Sequence, residues 1–143
     1  MTTPPGRTFT DTNLLVYAHG VGDTDPRARR ARSRLAELWR DGTGVASGQV
    51  LTEFYAVVTR KLTPPLPARQ ARGIVASYAR WCRVTTDPDL IVAASMLEER
   101  HTLAFWDALI VEAALRSAAT TLLSEDLQDG WKFGDLVVEN PVP

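Results

Sequence analysis

The chain has 143 residues, of which 45% are apolar, and its charges nearly cancel to a formal -1. This length predicts one domain, residues 1–143, and the near-neutral charge excludes a protein that binds nucleic acid through a global basic field. No apolar run reaches the roughly 20 residues that span a bilayer, the single cysteine cannot form an internal disulfide, and the first residues lack a signal-peptide pattern, so we expect a cytoplasmic protein with no membrane contact.

Proline and glycine clusters divide the chain into alternating short strands and helices. The sequence predicts strands at 7–11, 42–46, 82–85, 121–124 and 135–139. It predicts a helical turn at 12–18 and helices at 26–40, 67–81, 87–101 and 103–118, together with a helix that begins after Ser47 and ends near 62. Asp25 or Thr24 is the expected cap of the helix at 26–40, and Ser47 is the expected cap of the helix that follows it. Strands separated by helices in this order favour an α/β fold with a parallel sheet covered on both faces.

Four acidic residues stand at predicted element boundaries or inside apolar stretches. Asp11 ends the first strand, Asp126 follows the strand at 121–124, and Glu53 lies in the second turn of a helix, at the edge of its apolar arc. Asp107 has apolar residues on both sides, so an unpaired carboxylate there would be costly. Because sites in parallel sheets form at the carboxyl ends of the strands, these acids predict one convergent site for a hard cation.

Taken alone, each acid also has a purely structural explanation. Asp11 fits a turn or a helix cap, and Glu53 fits a solvated position at the edge of a helix face. Asp107 fits a buried salt bridge with an arginine, and Asp126 and Asp129 fit a simple turn. Their joint occurrence, in order along the chain, favours a site over four separate structural roles.

The same residues resemble those of the PIN-domain ribonucleases and, more narrowly, of the VapC toxins of bacterial toxin–antitoxin pairs. The resemblance covers essentially the whole chain and rests on Asp-Thr-Asn at 11–13, the mid-helix Glu53, Trp-Asp-Ala-Leu-Ile at 106–110, Ser-Glu-Asp-Leu-Gln-Asp-Gly at 124–130 and Val-Val-Glu-Asn-Pro at 137–141. It implies a PIN-like three-layer α/β/α sandwich with a central, mainly parallel sheet. The first strand departs from the family pattern, since Arg-Thr-Phe-Thr at 7–10 is shorter and more polar than the usual apolar run.

The resemblance also implies an activity, the metal-dependent hydrolysis of RNA phosphodiester bonds by an endoribonuclease. Carried over by position, the catalytic acids are Asp11, Glu53, Asp107 and Asp126. Asp11, Asp107 and Asp126 would bind Mg²⁺ or Mn²⁺, and Glu53 would bind the metal or orient the attacking water. The implied auxiliary groups are Asn13, Ser124 and Asp129. Carboxylates suit this chemistry because both cations prefer oxygen ligands and lower the pKa of a bound water.

Three partners follow from the resemblance: an RNA substrate, a cognate antitoxin protein and a second copy of the chain in a homodimer. Two other functions stay open. A phosphatase with an aspartyl nucleophile would also place an Asp after the first strand, but it needs a second Asp two residues on, where this chain has Asn13. A PIN-like module that no longer cuts would only bind a protein partner.

Several other side chains suggest less specific roles. Arg27, Arg30 and Arg34 share one side of a predicted helix and are interpreted as a solvated face, with an RNA-phosphate or partner-docking role as the alternative. We expect His19 and His101 at the surface and Cys82 as a thiol in the core. We expect the core to include Trp39, Trp81 and Trp106. Trp131 is predicted in a loop, where it is a possible RNA or interface contact.

Overall fold

A computed structural model describes residues 6–143 of the chain. The strands are β1 Arg7–Thr10, β2 Gly44–Ser47, β3 Cys82–Val84, β4 Ala119–Leu123, β5 Lys132–Phe133 and β6 Leu136–Glu139. The helices are α1 Thr12–Gly20, α2 Pro26–Asp41, α3 Gly48–Arg60, α4 Ala68–Ser77, α5 Pro88–His101 and α6 Phe105–Arg116, with a 3-10 turn at Ala79–Trp81.

One mostly parallel sheet organises the fold, with the strand order β3-β2-β1-β4-β6-β5. Its neighbours pair in parallel except β5 and β6, which are antiparallel. Thr8, Phe9 and Thr10 of β1 are all buried, although consecutive residues of a strand point to opposite faces. Helices therefore cover both faces of the sheet, and the predicted three-layer α/β/α sandwich with a mainly parallel sheet is confirmed.

Local sequence signals account for several of the helix ends. The Asp25 side chain caps α2 by accepting a hydrogen bond from the Arg27 N–H, and Gly42, with a φ of 69°, ends that helix in the left-handed conformation. The Ser47 hydroxyl caps α3 by accepting from the Val50 N–H at 3.4 Å, as predicted. None of the helices within residues 6–143 is long and apolar enough to cross a membrane.

The structure differs from the predicted elements in two places. The helix predicted at 67–81 ends at Ser77 and continues as the 3-10 turn. The two-residue strand β5 was not predicted, because two residues are too few to show an alternating pattern. A two-residue turn, Gly134-Asp135, connects β5 to β6, and Gly134 takes a φ of 63° that a residue with a side chain rarely adopts.

Candidate functional site

The backbone of two neighbouring strands brings Asp11 next to Ser124. Just beyond β1, the Asp11 N–H donates to the Leu123 carbonyl of β4 at 3.0 Å. Just beyond β4, the Ser124 N–H donates to the Glu139 carbonyl of β6 at 3.0 Å. Because these strands are parallel, both residues lie at the carboxyl edge of the sheet, where the acids were predicted to converge.

Asp11 is held by two neutral donors and is only 6% exposed. Its Oδ1 accepts a hydrogen bond from the Thr12 N–H at 2.7 Å, which caps α1, and its Oδ2 accepts from the Ser124 hydroxyl at 3.0 Å. The Ser124 oxygen in turn accepts from the Asp126 N–H at 3.2 Å. The helix cap considered for Asp11 is therefore real, and it fixes the carboxylate at the sheet edge.

Glu53 reaches the same edge from α3 and is likewise bound by neutral groups. The Thr12 hydroxyl donates to its Oε2 at 2.9 Å, and the Gln49 amide, one turn earlier on α3, donates to its Oε1 at 3.1 Å. Glu53 is half-buried, which agrees with its predicted position at the edge of the apolar face. Both carboxylate oxygens are thus positioned without a cationic partner.

Asp107 and Asp126 complete the set from the other side. Asp107 lies in the first turn of α6, where the positive end of the helix dipole favours a carboxylate. Asp126 lies in the loop after β4, and the Asn13 amide donates to its Oδ2 at 3.2 Å. In the part of the chain that the structure describes, Asp107 forms no salt bridge, so the structural alternative considered for it is wrong.

One cavity of about 280 Å³ is lined by all four acids. We call it the acidic pocket. Its other lining residues are Thr12 and Asn13 of α1, Ala56 and Val57 of α3, Lys61, and Trp106 and Ile110 of α6. The residues that meet here come from positions 11 to 126, so the fold and not the sequence spacing brings them together.

The four carboxylates repel one another in the absence of a cation. The pKa of Asp11 is raised to about 6, first because burial disfavours its charge and then because Asp126 and Glu53 are near, against the hydrogen bonds from Thr12 and Ser124 that lower it. The pKa of Asp107 is raised by burial and by the same two acids. Within residues 6–143, none of these acids forms a salt bridge that would relieve the repulsion.

These features fit a hard divalent cation. The four carboxylates offer oxygen atoms, which are the ligands that such a cation prefers. A bound cation would also relieve the repulsion that, together with burial, raises the pKa of Asp11 and Asp107. No three His, Cys, Asp or Glu side chains within 6–143 form a ready-made coordination cluster. The arrangement therefore suits Mg²⁺ or Mn²⁺, which keeps several waters and takes one or two carboxylates together with substrate oxygens.

The structure does not bring Asp129 to the acidic pocket. Its Oδ1 accepts a hydrogen bond from the Asn140 N–H at 2.8 Å, and it is absent from the pocket lining. Asp129 therefore fits the turn that was considered as its structural alternative, and its auxiliary role stays a prediction. Asn13 and Ser124, the other two auxiliary candidates, contact Asp126 and Asp11 directly.

The structure places Trp106, Trp39 and His19 elsewhere than predicted. Trp106 is 66% exposed at the rim of the acidic pocket and Trp39 is 38% exposed, so neither is a core residue. His19 is half-buried and hydrogen-bonded to the Tyr78 hydroxyl at 2.7 Å. Trp131 lies in the loop before β5, as predicted, and packs against Phe133 with ring centroids 4.8 Å apart. Trp81 is buried as predicted, and Cys82 packs against the core.

The predicted arginine face is largely occupied by ion pairs. Arg27 pairs with Asp25 at 3.0 Å, and Arg34 pairs with Glu139 at 3.0 Å and with Glu37 at 3.2 Å. Arg30 is exposed. Since two of the three guanidinium groups are engaged with carboxylates of this chain, this face offers little free positive charge to a phosphate backbone.

Three residues of the site were missed by the sequence analysis. Thr12 and Gln49 bind the two oxygens of Glu53, and Lys61 lines the acidic pocket as its one cationic side chain within the described residues. Gln49 could have been found, because it lies four residues before Glu53 on a predicted helix and such residues are neighbours. No local signal points to Thr12 or Lys61.

Comparisons with known proteins agree with this fold. The sequence matches the PIN domain family over residues 8–128. No curated protein is similar enough in sequence to match. Among solved structures, the chain is similar to a toxin–antitoxin complex from Klebsiella pneumoniae, with a TM-score of 0.67 and 15% identity, covering 94% of this chain and 97% of that one.

Two further solved structures share the fold. VapC20 of Mycobacterium tuberculosis, described as a toxin that cleaves the sarcin-ricin loop, has a TM-score of 0.62 and 22% identity over 83% of this chain and 91% of its own. VapBC2 of Rickettsia felis, bound to a DNA fragment from its promoter, has a TM-score of 0.62 and 19% identity over 93% of this chain and 97% of its own. At these identities, the likeness concerns the fold.

Proposed function

Because the chain belongs to the PIN-domain family, we propose that it is a VapC-type endoribonuclease that hydrolyses RNA phosphodiester bonds with Mg²⁺ or Mn²⁺. One observation carries the proposal. Four carboxylates from separate elements line one pocket, and no cationic side chain of residues 6–143 pairs with any of them. A hard cation with RNA phosphate oxygens supplies the missing positive charge.

We assign metal binding, either direct or through a bound water, to Asp11, Asp107 and Asp126. A bound divalent ion would polarise the phosphoryl group and lower the pKa of a water at neutral pH. Glu53 either joins the metal ligands or accepts a proton from the attacking water. Ser124, Asn13, Thr12 and Gln49 orient the carboxylates through neutral hydrogen bonds, so they fix geometry without cancelling the negative charge that attracts the cation.

The test is RNA cleavage by the purified protein with magnesium, with manganese and with a chelator. Structured and unstructured RNAs are both included, because a nuclease of this kind reads how its target is presented. We expect cutting with either ion and none with chelator. A folded protein that cuts none of these RNAs would favour the alternative, a PIN-like module that only binds a partner. The phosphatase alternative gains no support, since Asn13 donates to Asp126 and cannot act as an acid.

An antitoxin partner is part of this proposal, and a groove between α3 and α4 supports it. The groove measures about 690 Å³ and is lined by Gly48, Leu51, Thr52, Tyr55, Ala56 and Arg60 of α3 and by Arg72, Val75 and Ala76 of α4. Its floor is apolar, its rim carries two arginines, and no acidic residue lines it. An amphipathic segment with acidic flanks would match it. Ala56 also lines the acidic pocket, so such a segment could extend a basic side chain to the acids.

Replacing Arg72 with glutamate should weaken antitoxin binding at least tenfold, or about 1.4 kcal/mol, because it places like charges together at the rim. Isothermal titration with the cognate antitoxin measures the change. Arg69→Glu is the matched control, since Arg69 is exposed on the same helix but does not line the groove. Equal losses in the two variants would contradict docking in this groove.

A homodimer is also proposed. Helix α5 exposes three large apolar side chains, Ile91, Val92 and Met96. Several apolar residues exposed on one helix mark an interaction surface more often than a solvated one. The VapC resemblance implies a second copy of the chain as a partner, and we propose that it packs on this surface.

A further inference from the structure

A third cavity lies at the opposite end of the sheet from the acidic pocket. It measures about 470 Å³ and is lined by Trp39, Gly42, Gly44, Arg80, Trp81 and Arg83. Gly44 is the first residue of β2, and Arg80 and Trp81 come directly before the parallel edge strand β3. Asp11 and Asp126 of the acidic pocket, by contrast, follow the last residues of β1 and β4. We call this cavity the aromatic–arginine pocket.

Packed aromatic rings form one wall of the pocket. The ring centroids of Trp39 and Trp81 are 4.6 Å apart with a tilt of 40°, and Tyr78 contacts Trp81 edge-on at 4.9 Å. A Cβ added at Gly44 would lie 2.5 Å from the Trp81 ring, so that ring presses on the strand backbone and is held in place. Trp39 packs on this rigid support and still leaves 38% of its surface exposed.

Two arginines supply the charge of the pocket. Arg80 and Arg83 are both exposed, and no carboxylate of residues 6–143 lines the cavity. Within residues 6–143, neither forms a salt bridge, whereas Arg27, Arg32, Arg34 and Arg116 do. The pocket therefore holds two guanidinium groups that are free for an external anion.

An RNA strand needs such a local site on this protein. The formal charge of the chain is -1, and the acidic pocket itself repels phosphates until a cation is bound. Affinity for a polyanion must come from a restricted basic surface. Exposed indole beside guanidinium groups fits an unpaired nucleotide, because a base stacks on the ring while arginine contacts the phosphate. An acidic peptide would use the arginines and leave the indole unused.

We propose that the aromatic–arginine pocket is a second RNA-binding site, which holds an unpaired nucleotide of the substrate away from the scissile bond. The choice of ligand rests on the proposed ribonuclease function. The binding itself does not require cleavage, so it is measured with chelator present. If the protein binds RNA through this pocket but never cleaves it, the result contradicts the nuclease proposal and supports the RNA-binding proposal.

The experiment measures binding of a fluorescein-labelled, unstructured 12-nucleotide RNA by fluorescence anisotropy over a range of NaCl concentrations. In the double variant Arg80→Ala/Arg83→Ala, we expect at least tenfold weaker binding at low salt. The plot of log K against log salt should become shallower by about 1.4, since each lost phosphate contact on a single strand contributes about 0.7. Both arginines are exposed, so the fold is expected to persist.

Replacing Trp39 with leucine separates stacking from charge. We expect roughly five- to hundredfold weaker binding with an unchanged salt slope, because base stacking carries little dependence on counterions. The control is Arg29→Ala/Arg100→Ala, which removes two exposed arginines that line no cavity described above and form no salt bridge within 6–143. Circular dichroism confirms that each variant is folded.

Three results would overturn the proposal. The first is unchanged binding and slope in Arg80→Ala/Arg83→Ala. The second is an equal loss in the control double variant, which would mean that only overall charge matters. The third is polyglutamate of the same charge binding as tightly as RNA and being unaffected by Trp39→Leu, which would make the pocket a site for an acidic protein.

Discussion

Replacing Asp11 with asparagine should abolish metal-dependent RNA cleavage and at the same time stabilise the metal-free protein at neutral pH. Loss of cleavage is expected to be at least about 100-fold, since even residues that only support a metal ligand are worth 10- to 100-fold. Asparagine can keep the local contacts, because its oxygen accepts from the Thr12 N–H and its amide faces the Ser124 oxygen. The charge is the property that is lost.

The gain in stability follows from the sign of the pKa shift. The pKa of Asp11 rises from 3.8 to about 6 in the folded chain, so the folded state binds the proton more tightly than the unfolded state. The contribution of Asp11 protonation to the free energy of unfolding is complete below about pH 4, and it is lost as the pH rises through about 6. Above that, ionised Asp11 costs up to about 3 kcal/mol, which the asparagine variant avoids.

Urea unfolding in chelator at pH 7.5 and pH 4.5 measures the difference. We expect Asp11→Asn to be more stable by about 1 to 3 kcal/mol at pH 7.5, and the gap to narrow at pH 4.5, where Asp11 of the wild type is mostly protonated. Adding Mg²⁺ should raise the stability of the wild type more than that of the variant. Retained cutting, or a variant less stable than wild type at pH 7.5, would contradict this account.

The second large effect is a difference in RNA cleavage between variants of two aspartates that lie three residues apart in one loop. Asp126→Asn should lower cleavage at least about 100-fold, because it removes a charge from the acidic pocket. Asp129→Asn should cut at the wild-type rate. Within residues 6–143, the one side-chain hydrogen bond of Asp129 is accepted from the Asn140 N–H, and asparagine keeps an oxygen that can accept this bond, so stability should change by less than about 1 kcal/mol.

Initial cleavage rates at saturating Mg²⁺, measured for both variants beside wild type, decide this comparison. Each substitution removes one negative charge from the same loop, so a change in overall charge cannot explain a difference between them. If both variants cleave RNA at the wild-type rate, Asp126 is not a metal ligand. A strong loss in Asp129→Asn would mean that the turn it holds positions the acidic pocket.

The sequence predicted the site where its signals were local. Asp11 and Ser124 each follow a short strand, and parallel strands place their carboxyl ends at one edge. Glu53 was placed correctly by the period of its helix. The sandwich followed from the alternation of strands and helices, which the structure confirms.

The misplaced residues depend on contacts that no local pattern encodes. Asp126 and Asp129 stand three residues apart in one loop, and the hydrogen bond that holds Asp129 in the turn comes from the backbone of Asn140, eleven residues further on. Trp106 lies in the largely apolar stretch 103–111, so hydropathy alone could not show that its side chain is exposed at the rim of the acidic pocket. The pairing of Thr12 with Glu53 joins residues 41 positions apart.

The position of Ala56 has an evolutionary consequence. Its methyl group lines both the groove between α3 and α4 and the acidic pocket. Under the proposed function, a larger side chain at this position would narrow both cavities, so a change that blocks the antitoxin there would also damage the proposed catalytic pocket. Changes that alter antitoxin recognition alone are therefore expected on the outer rim, at Arg60 and Arg72, which do not line the acidic pocket.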